Sequence, residues 1–177
     1  SVDKARAVAV LEKIAQLLEY RGENAFKVRA FLNAAHALEA EAATLEELAA
    51  VKGRLEGIKG IGASTAAIIR ELADTGGAQL LEELCAAAPP EMDALMAVPH
   101  LGPKKIRALH ETLGVGTLAD LERALAEGKV EGLPGFGAKT VEKIAAGIAM
   151  ARRNAGRVLY AHRSEEHTSE LQSLSHL

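Results

Sequence analysis

One short pattern of residue types occurs three times in this chain: Ile58-Lys59-Gly60-Ile61-Gly62, Val98-Pro99-His100-Leu101-Gly102 and Leu133-Pro134-Gly135-Phe136-Gly137 (hairpins 1, 2 and 3). The chemistry open to it is anion binding by the main chain. Glycine admits positive φ and lets a backbone come close to a ligand, so both glycine positions of each copy are read as bends of that kind. The apolar residue between them is expected to turn inward and fasten the bend. Helical periodicity follows each copy, so the second glycine opens a helix whose unbonded N–H groups and positive dipole end converge on one outward spot. Cations follow at a matching offset in two copies: Lys104, Lys105 and Arg107 after hairpin 2, Lys139 and Lys143 after hairpin 3. After hairpin 1 the chain reads Ala63-Ser64-Thr65-Ala66-Ala67, and Lys59 is the nearest cation, which predicts a weaker site. A Gly-x-Gly between helices can also be a plain capped turn. Capping alone gives no reason for an inward apolar residue in every copy.

Other chemistries find little support. Residues 1–163 hold only Asp3, Asp74, Asp93 and Asp120 among aspartates, with no Asp-x-Asp pair of the kind that holds two Mg²⁺ ions. The histidines at 36, 100, 110, 162, 167 and 176 show no ligand spacing with carboxylates. Cys85 is alone, which excludes an internal disulfide and suits a reducing compartment. No apolar run approaches the ~18 residues of a membrane span, and Ser1 to Arg6 carries no signal-peptide core. A cytoplasmic protein without membrane contact is expected.

The elements that must position the hairpins are short helices. The chain has 177 residues, 49% apolar, 25% charged and only 3% aromatic, so its core must be built from Ala, Leu, Ile and Val. An all-α fold follows, with two small helical domains each built around these hairpin motifs. Val8, Leu11, Ile14, Ala15 and Leu18 mark one helical stripe; Phe26, Ala30, Phe31, Ala34, Ala35 and Leu38 mark a second. Thr44 with Glu47 is a capping box opening a helix to about 51. Further helices are expected over 63–72, 80–88, 92–98, 103–113, 118–127 and 137–154, with a domain boundary at 86–90 where Pro89-Pro90 breaks the chain. The last stretch, 164–177, is Ser-rich without an apolar stripe and reads as a non-native tail. Without it the chain carries 21 basic and 21 acidic residues, so any polyanion must be held by local groups rather than by net charge.

Each hairpin resembles a helix-hairpin-helix motif, and residues 1 to about 160 resemble the amino-terminal part of a bacterial family X DNA polymerase, the family of DNA polymerase beta. Gly22-Glu-Asn-Ala-Phe-Lys-Val-Arg-Ala-Phe31, hairpin 1 with its Thr75-Gly76 stop, and Leu101-Gly-Pro-Lys-Lys105 match in order. The resemblance implies a lyase-like domain at 1–86, a DNA-binding fingers-like subdomain at 87–155 and, from Gly156-Arg157-Val158-Leu159, the start of a truncated palm at 156–163. It implies sequence-independent, monomeric binding to gapped, nicked or 5′-phosphorylated DNA in repair, in a bacterial cytoplasm, with Arg152, Arg153 and Arg157 adding positive charge. The contacts it implies are Lys27, Arg29, Lys59, Gly60, Gly62, Gly102, Lys104, Lys105, Arg107, Gly135, Gly137, Lys139 and Lys143. Lys27 falls where the family has a 5′-phosphate ligand, and Phe31 near the same pocket. The carbonyls of Ile58, Ile61, Val98 and Leu101 match ligands of a monovalent cation, K⁺ or Na⁺, while Mg²⁺ belongs to the palm. Two departures stand out. Ile68 replaces the family's Schiff-base lysine, and no lysine lies between Ala63 and Leu84, so lyase action is expected to be absent unless Lys27, Lys52 or Lys59 substitutes. His100 stands where the hairpin usually has Gly, so a strained or shifted second hairpin is expected. A helical protein-interaction module is the other reading.

Overall fold

A computed structural model describes the backbone of residues 2–162 and the side chains of 2–154; the expected tail at 164–177 and the side chain of Arg157 lie outside the described residues. Among the described residues every regular element is a helix: α1 Lys4–Arg21, α2 Ala25–Ala40, α3 Leu45–Ala50, α4 Ala63–Thr75, α5 Gln79–Ala87, α6 Met92–Met96, α7 Pro103–Leu113, α8 Leu118–Ala126 and α9 Ala138–His162. The chain divides into two compact units, Ser1–Ala87 and Ala88–Leu177.

The first unit is organised around α1. Asp3 caps its start, accepting from the Arg6 N–H at 2.8 Å, and Gly22 stops it in the left-handed region at φ 87°. Besides the expected stripe, Ala7, Val10, Leu17 and Tyr20 are buried, because α1 packs on α2 and also on α5. A helix apolar on most of its circumference is an inner helix. Each fully buried Leu or Ile of this set contributes about 1.5–3 kcal/mol.

Helix α2 corrects one expectation. Phe31, Ala34, Ala35 and Leu38 are buried, but Phe26 is 89% exposed and Ala30 is exposed too. At about 100° per residue, Phe26 lies about 140° around the helix from Phe31, off the face that meets α1. That outer face continues to Asn33 and Ala37, where hairpin 1 sits: a Cβ on Gly60 would meet Ala37 Cβ at 3.2 Å and the Asn33 carbonyl at 3.4 Å. Helix α3 starts at the Thr44–Glu47 capping box, with both reciprocal bonds at 3.1 Å.

The second unit holds hairpins 2 and 3. Its entry segment is tied to the start of α8: the Glu91 N–H donates to the Gly116 carbonyl and the Leu118 N–H to Glu91 Oε1, both at 3.0 Å. Asp120 Oδ2 accepts from the Gly116 and Thr117 amides at 3.0 and 3.1 Å. Those bonds, the Gly116 amide first, hold the Asp120 carboxyl below its ordinary value. Helix α9 packs on α8 through a buried stripe of Ile144, Ile148 and Ala151, and Arg152 pairs with Glu122 across the two helices. Its backbone runs on to His162 rather than ending near 154 as the sequence suggested. No proline interrupts that stretch, and Gly156 alone only weakens a helix.

Candidate functional site

The three hairpins have one backbone geometry. In each, the fourth residue's N–H closes on the first residue's carbonyl: Ile61 on Ile58 at 3.1 Å, Leu101 on Val98 at 3.2 Å and Phe136 on Leu133 at 2.8 Å. The third residue has positive φ, 100° at Gly60, 70° at His100 and 84° at Gly135. That combination is a type II turn, whose second position favours proline, as at Pro99 and Pro134. The apolar residue then points inward in every copy: Ile61 is 4% exposed, Leu101 2% and Phe136 1%.

His100 is the one described non-glycine residue with positive φ. Hairpin 2 therefore takes the strained alternative and keeps its turn undistorted. A left-handed L-residue costs about 1–2 kcal/mol, so something must hold the turn in place. The seat is on α9: a Cβ at Gly147 would meet Pro99 Cδ at 2.9 Å and the Pro99 nitrogen and carbonyl oxygen at 3.3 Å. Only a glycine lets the turn lie directly on the helix backbone. Lys105 Nζ adds a bond to the His100 carbonyl at 3.2 Å.

The second glycine of each copy behaves differently from the sequence reading. Gly62 and Gly102 are helix N-caps with φ of −93° and −88°, extended backbone open to any residue, and Gly137 is not in the positive-φ region either. A Cβ at Gly62, Gly102 or Gly137 would meet no protein atom within 4 Å. Neither conformation nor packing demands glycine at these three places, and Ser, Thr, Asp or Asn would cap each helix better. What glycine leaves is room on the outer side for a close-approaching partner.

The amides behind that room are partly available. The first helical bonds run from Ala66 to Gly62, from Ile106 to Gly102 and from Val141 to Gly137, so the amides before them have no intrahelical acceptor. Hairpin 1 departs from the expectation of free donors, because buried Thr65 accepts from the Gly62 N–H at 3.0 Å. Its tip also sits on α2, at Ala37 and the Asn33 carbonyl. Pro103 removes one amide from hairpin 2, where Gly102, Lys104 and Lys105 supply the rest.

The predicted cations divide in two. Lys59, Lys104, Lys139 and Lys143 are exposed, and among the described residues no carboxylate lies within ion-pair distance of them; the same holds for Arg29. Arg107 is paired with Glu111 at 2.8 Å, and Lys27 stands 3.9 Å from Glu23, which also takes Arg21 at 2.8 Å. Arg152 is occupied by Glu122, which lowers the positive charge the sequence ascribed to that part of α9; Arg153 is exposed. Ile68 is half-buried on α4. A cavity of about 840 Å³ is lined by Ala42, Ala43, Ala49, Asp3, Glu46 and Asp74, among others, and by no hairpin residue. Its acidic lining does not suit an anion.

Hydrogen bonding also distinguishes the hairpin carbonyls from one another. The Phe136 carbonyl accepts from the Gly132 N–H at 3.1 Å, whereas those of Ile61 and Leu101 accept none among the described residues. The Ile58 and Val98 carbonyls each accept the hydrogen bond that closes their own turn, from Ile61 and Leu101.

This repeated fold defines a protein of tandem helix-hairpin-helix domains. Residues 2–78 match a family described as helix-hairpin-helix domain, and residues 92–149 match a SAM-like helix-hairpin-helix tandem. The chain is 36% identical over 173 residues, 94% of its length, to the DNA polymerase/3′-5′ exonuclease PolX of Bacillus subtilis (strain 168). It is related to the amino-terminal region of the family X DNA polymerases and spans 30% of the length of that relative. Among the described residues no helix is long and apolar enough to cross a membrane.

Proposed function

We propose that the chain is a sequence-independent DNA-binding module of a family X repair polymerase, gripping the phosphate backbone of gapped or nicked DNA as a monomer in a bacterial cytoplasm. The observation that carries this is the trio Gly62, Gly102 and Gly137, glycines that neither the fold nor the packing requires, each opening a helix whose first amides lack an intrahelical acceptor, although the Gly62 N–H itself is bonded to Thr65. A phosphate is the partner that wants close backbone approach, several N–H donors and a helix amino end at once. Lys104 and Lys105 at hairpin 2, and Lys139 and Lys143 at hairpin 3, stand one turn further on to complete the charge balance.

Lys27 in the first turn of α2 is the candidate for the 5′-phosphate. A cation at a helix amino end is unfavourable by itself and becomes favourable when an anion sits there. Arg29 and Lys59 supply the remaining charge of that domain, and Gly60 and Gly135 shape the turns. A monovalent cation held by the carbonyls of Ile58 and Ile61, and of Val98 and Leu101, would add positive charge beside the phosphate.

The test is binding to a duplex with a short gap, 5′-phosphorylated, against intact duplex, across a salt series. The affinity should fall with a log–log slope of about −3 to −5, for three to five neutralised phosphates. Binding indifferent to salt, or no binding to gapped duplex at low salt, defeats the proposal. Charge reversal at Lys104, Lys105, Lys139 and Lys143 that leaves binding to a protein partner intact while DNA is still ignored would favour the interaction-module reading instead.

A further inference from the structure

We infer that His100 is a DNA-contacting residue, whose imidazole donates a hydrogen bond to a phosphate oxygen of the strand held at hairpin 2. This rests on the DNA-binding reading above and extends it to a side chain at a position where the other two copies have none.

Three observations converge. His100 is the only described non-glycine residue held at positive φ, at 70°, although Gly60 and Gly135 occupy the same turn position in the other hairpins. Glycine is plainly compatible with this turn, so the fold itself does not call for histidine. The imidazole repays nothing inside the protein: His100 is exposed, and its ring makes no hydrogen bond among the described residues. Strain kept without an internal return is the signature of a site where the side chain meets something else.

The turn is also built to hold that side chain still. The Pro99 ring fixes the preceding φ, and its backbone lies on Gly147 of α9. The Leu101 N–H closes the turn on the Val98 carbonyl at 3.2 Å, and Lys105 Nζ holds the His100 carbonyl. A fixed tip loses little rotational freedom on binding. Its neighbours are Gly102, with open space on its outer side, and the exposed ammonium of Lys104, so the ligand that suits the imidazole N–H there is anionic. In hairpin 1 the equivalent place is tight, because a Cβ there would meet Ala37 Cβ at 3.2 Å and the Asn33 carbonyl at 3.4 Å.

The test compares the full chain with His100→Gly and His100→Asn, in thermal melts and in fluorescence-anisotropy titrations of gapped duplex at low salt. His100→Gly should raise Tm by about 2–4 °C, since the strain is relieved at a smaller unfolded-state penalty, and should weaken DNA binding about tenfold by removing a hydrogen bond to a charged acceptor. Asn tolerates the left-handed region and keeps an N–H donor, so His100→Asn should bind within about two-fold of the unaltered chain. If His100→Gly binds DNA as tightly as the unaltered chain, or melts lower, the inference is overturned while DNA binding stands. If the unaltered chain does not bind, both fall together.

Discussion

Replacing Gly102 and Gly137 by serine separates folding from binding. Both are helix N-caps with no protein atom within 4 Å of a new Cβ, and the φ of Gly102, −88°, suits serine. Serine is the better cap by a few tenths of a kcal/mol per site. The double variant should therefore melt within about 2 °C of the unaltered chain, or slightly above it. Binding should move the other way. The new Cβ and Oγ occupy the space through which a phosphate reaches the amides, and serine's hydroxyl, as a cap, competes for those donors. A hydrogen bond to a charged group is worth about 1.5–3 kcal/mol, and the exposed setting favours the low end, so each hairpin should lose about tenfold in affinity. Each lost phosphate contact also removes about 0.9 from the salt slope, making the double variant less steep by about 1.8. The assay is anisotropy on a gapped duplex at several salt concentrations, beside a differential scanning melt. Unchanged affinity and slope in a folded double variant would show that the glycines are an accident of capping, and the phosphate-capture argument would be refuted.

Other expectations follow from the same geometry. Gly147→Ala, normally a gain of about 1 kcal/mol inside a helix, should destabilise by about 1 kcal/mol net because the methyl overlaps Pro99; a raised midpoint in urea would contradict the seating of hairpin 2. Phe136→Ala should cost about 3–5 kcal/mol, since the ring is 1% exposed and nothing can collapse into its place without moving hairpin 3. Thr65→Val, isosteric and buried, should lose about 1 kcal/mol in denaturant melts by leaving the Gly62 N–H without its acceptor, and DNA affinity should not fall with it. The Asp120 carboxyl titrates below its ordinary value of 3.8 in the folded chain. Its contribution is thus fully present above that value and lost as pH falls through the folded value; Asp120→Asn should be less stable near neutrality and lose the part of the acid-side slope below pH ~4, as read from melts across that window.

The residue types alone were enough to mark an all-α chain and the places of nearly all its helices. Those features are local: a 3.6-residue apolar period, a capping box at Thr44, glycine stops at Gly22 and Gly76, and the Pro89-Pro90 break act within a turn or two of themselves. The triple hairpin was equally legible, because an apolar residue followed by glycine before a helix, with glycine ahead of it in two of the three copies, is a pattern within five residues, and the identity to a family X polymerase agrees with the motifs that suggested the kinship. Tertiary structure decided the rest. Which glycines serve the turn and which serve open space depends on φ and on what stands beyond each Cα, so Gly60 and Gly62 look alike in the sequence and differ in function. Phe26 left the core because α1 meets only one face of α2. Arg107 and Arg152 are paired by partners on a neighbouring turn and a neighbouring helix, and Thr65 reaches back to the Gly62 amide. The seat of Pro99 on Gly147 joins residues nearly fifty apart, and its one sequence trace was a glycine in the middle of a helix. Distances between segments are set by packing, and packing is a property of the folded whole.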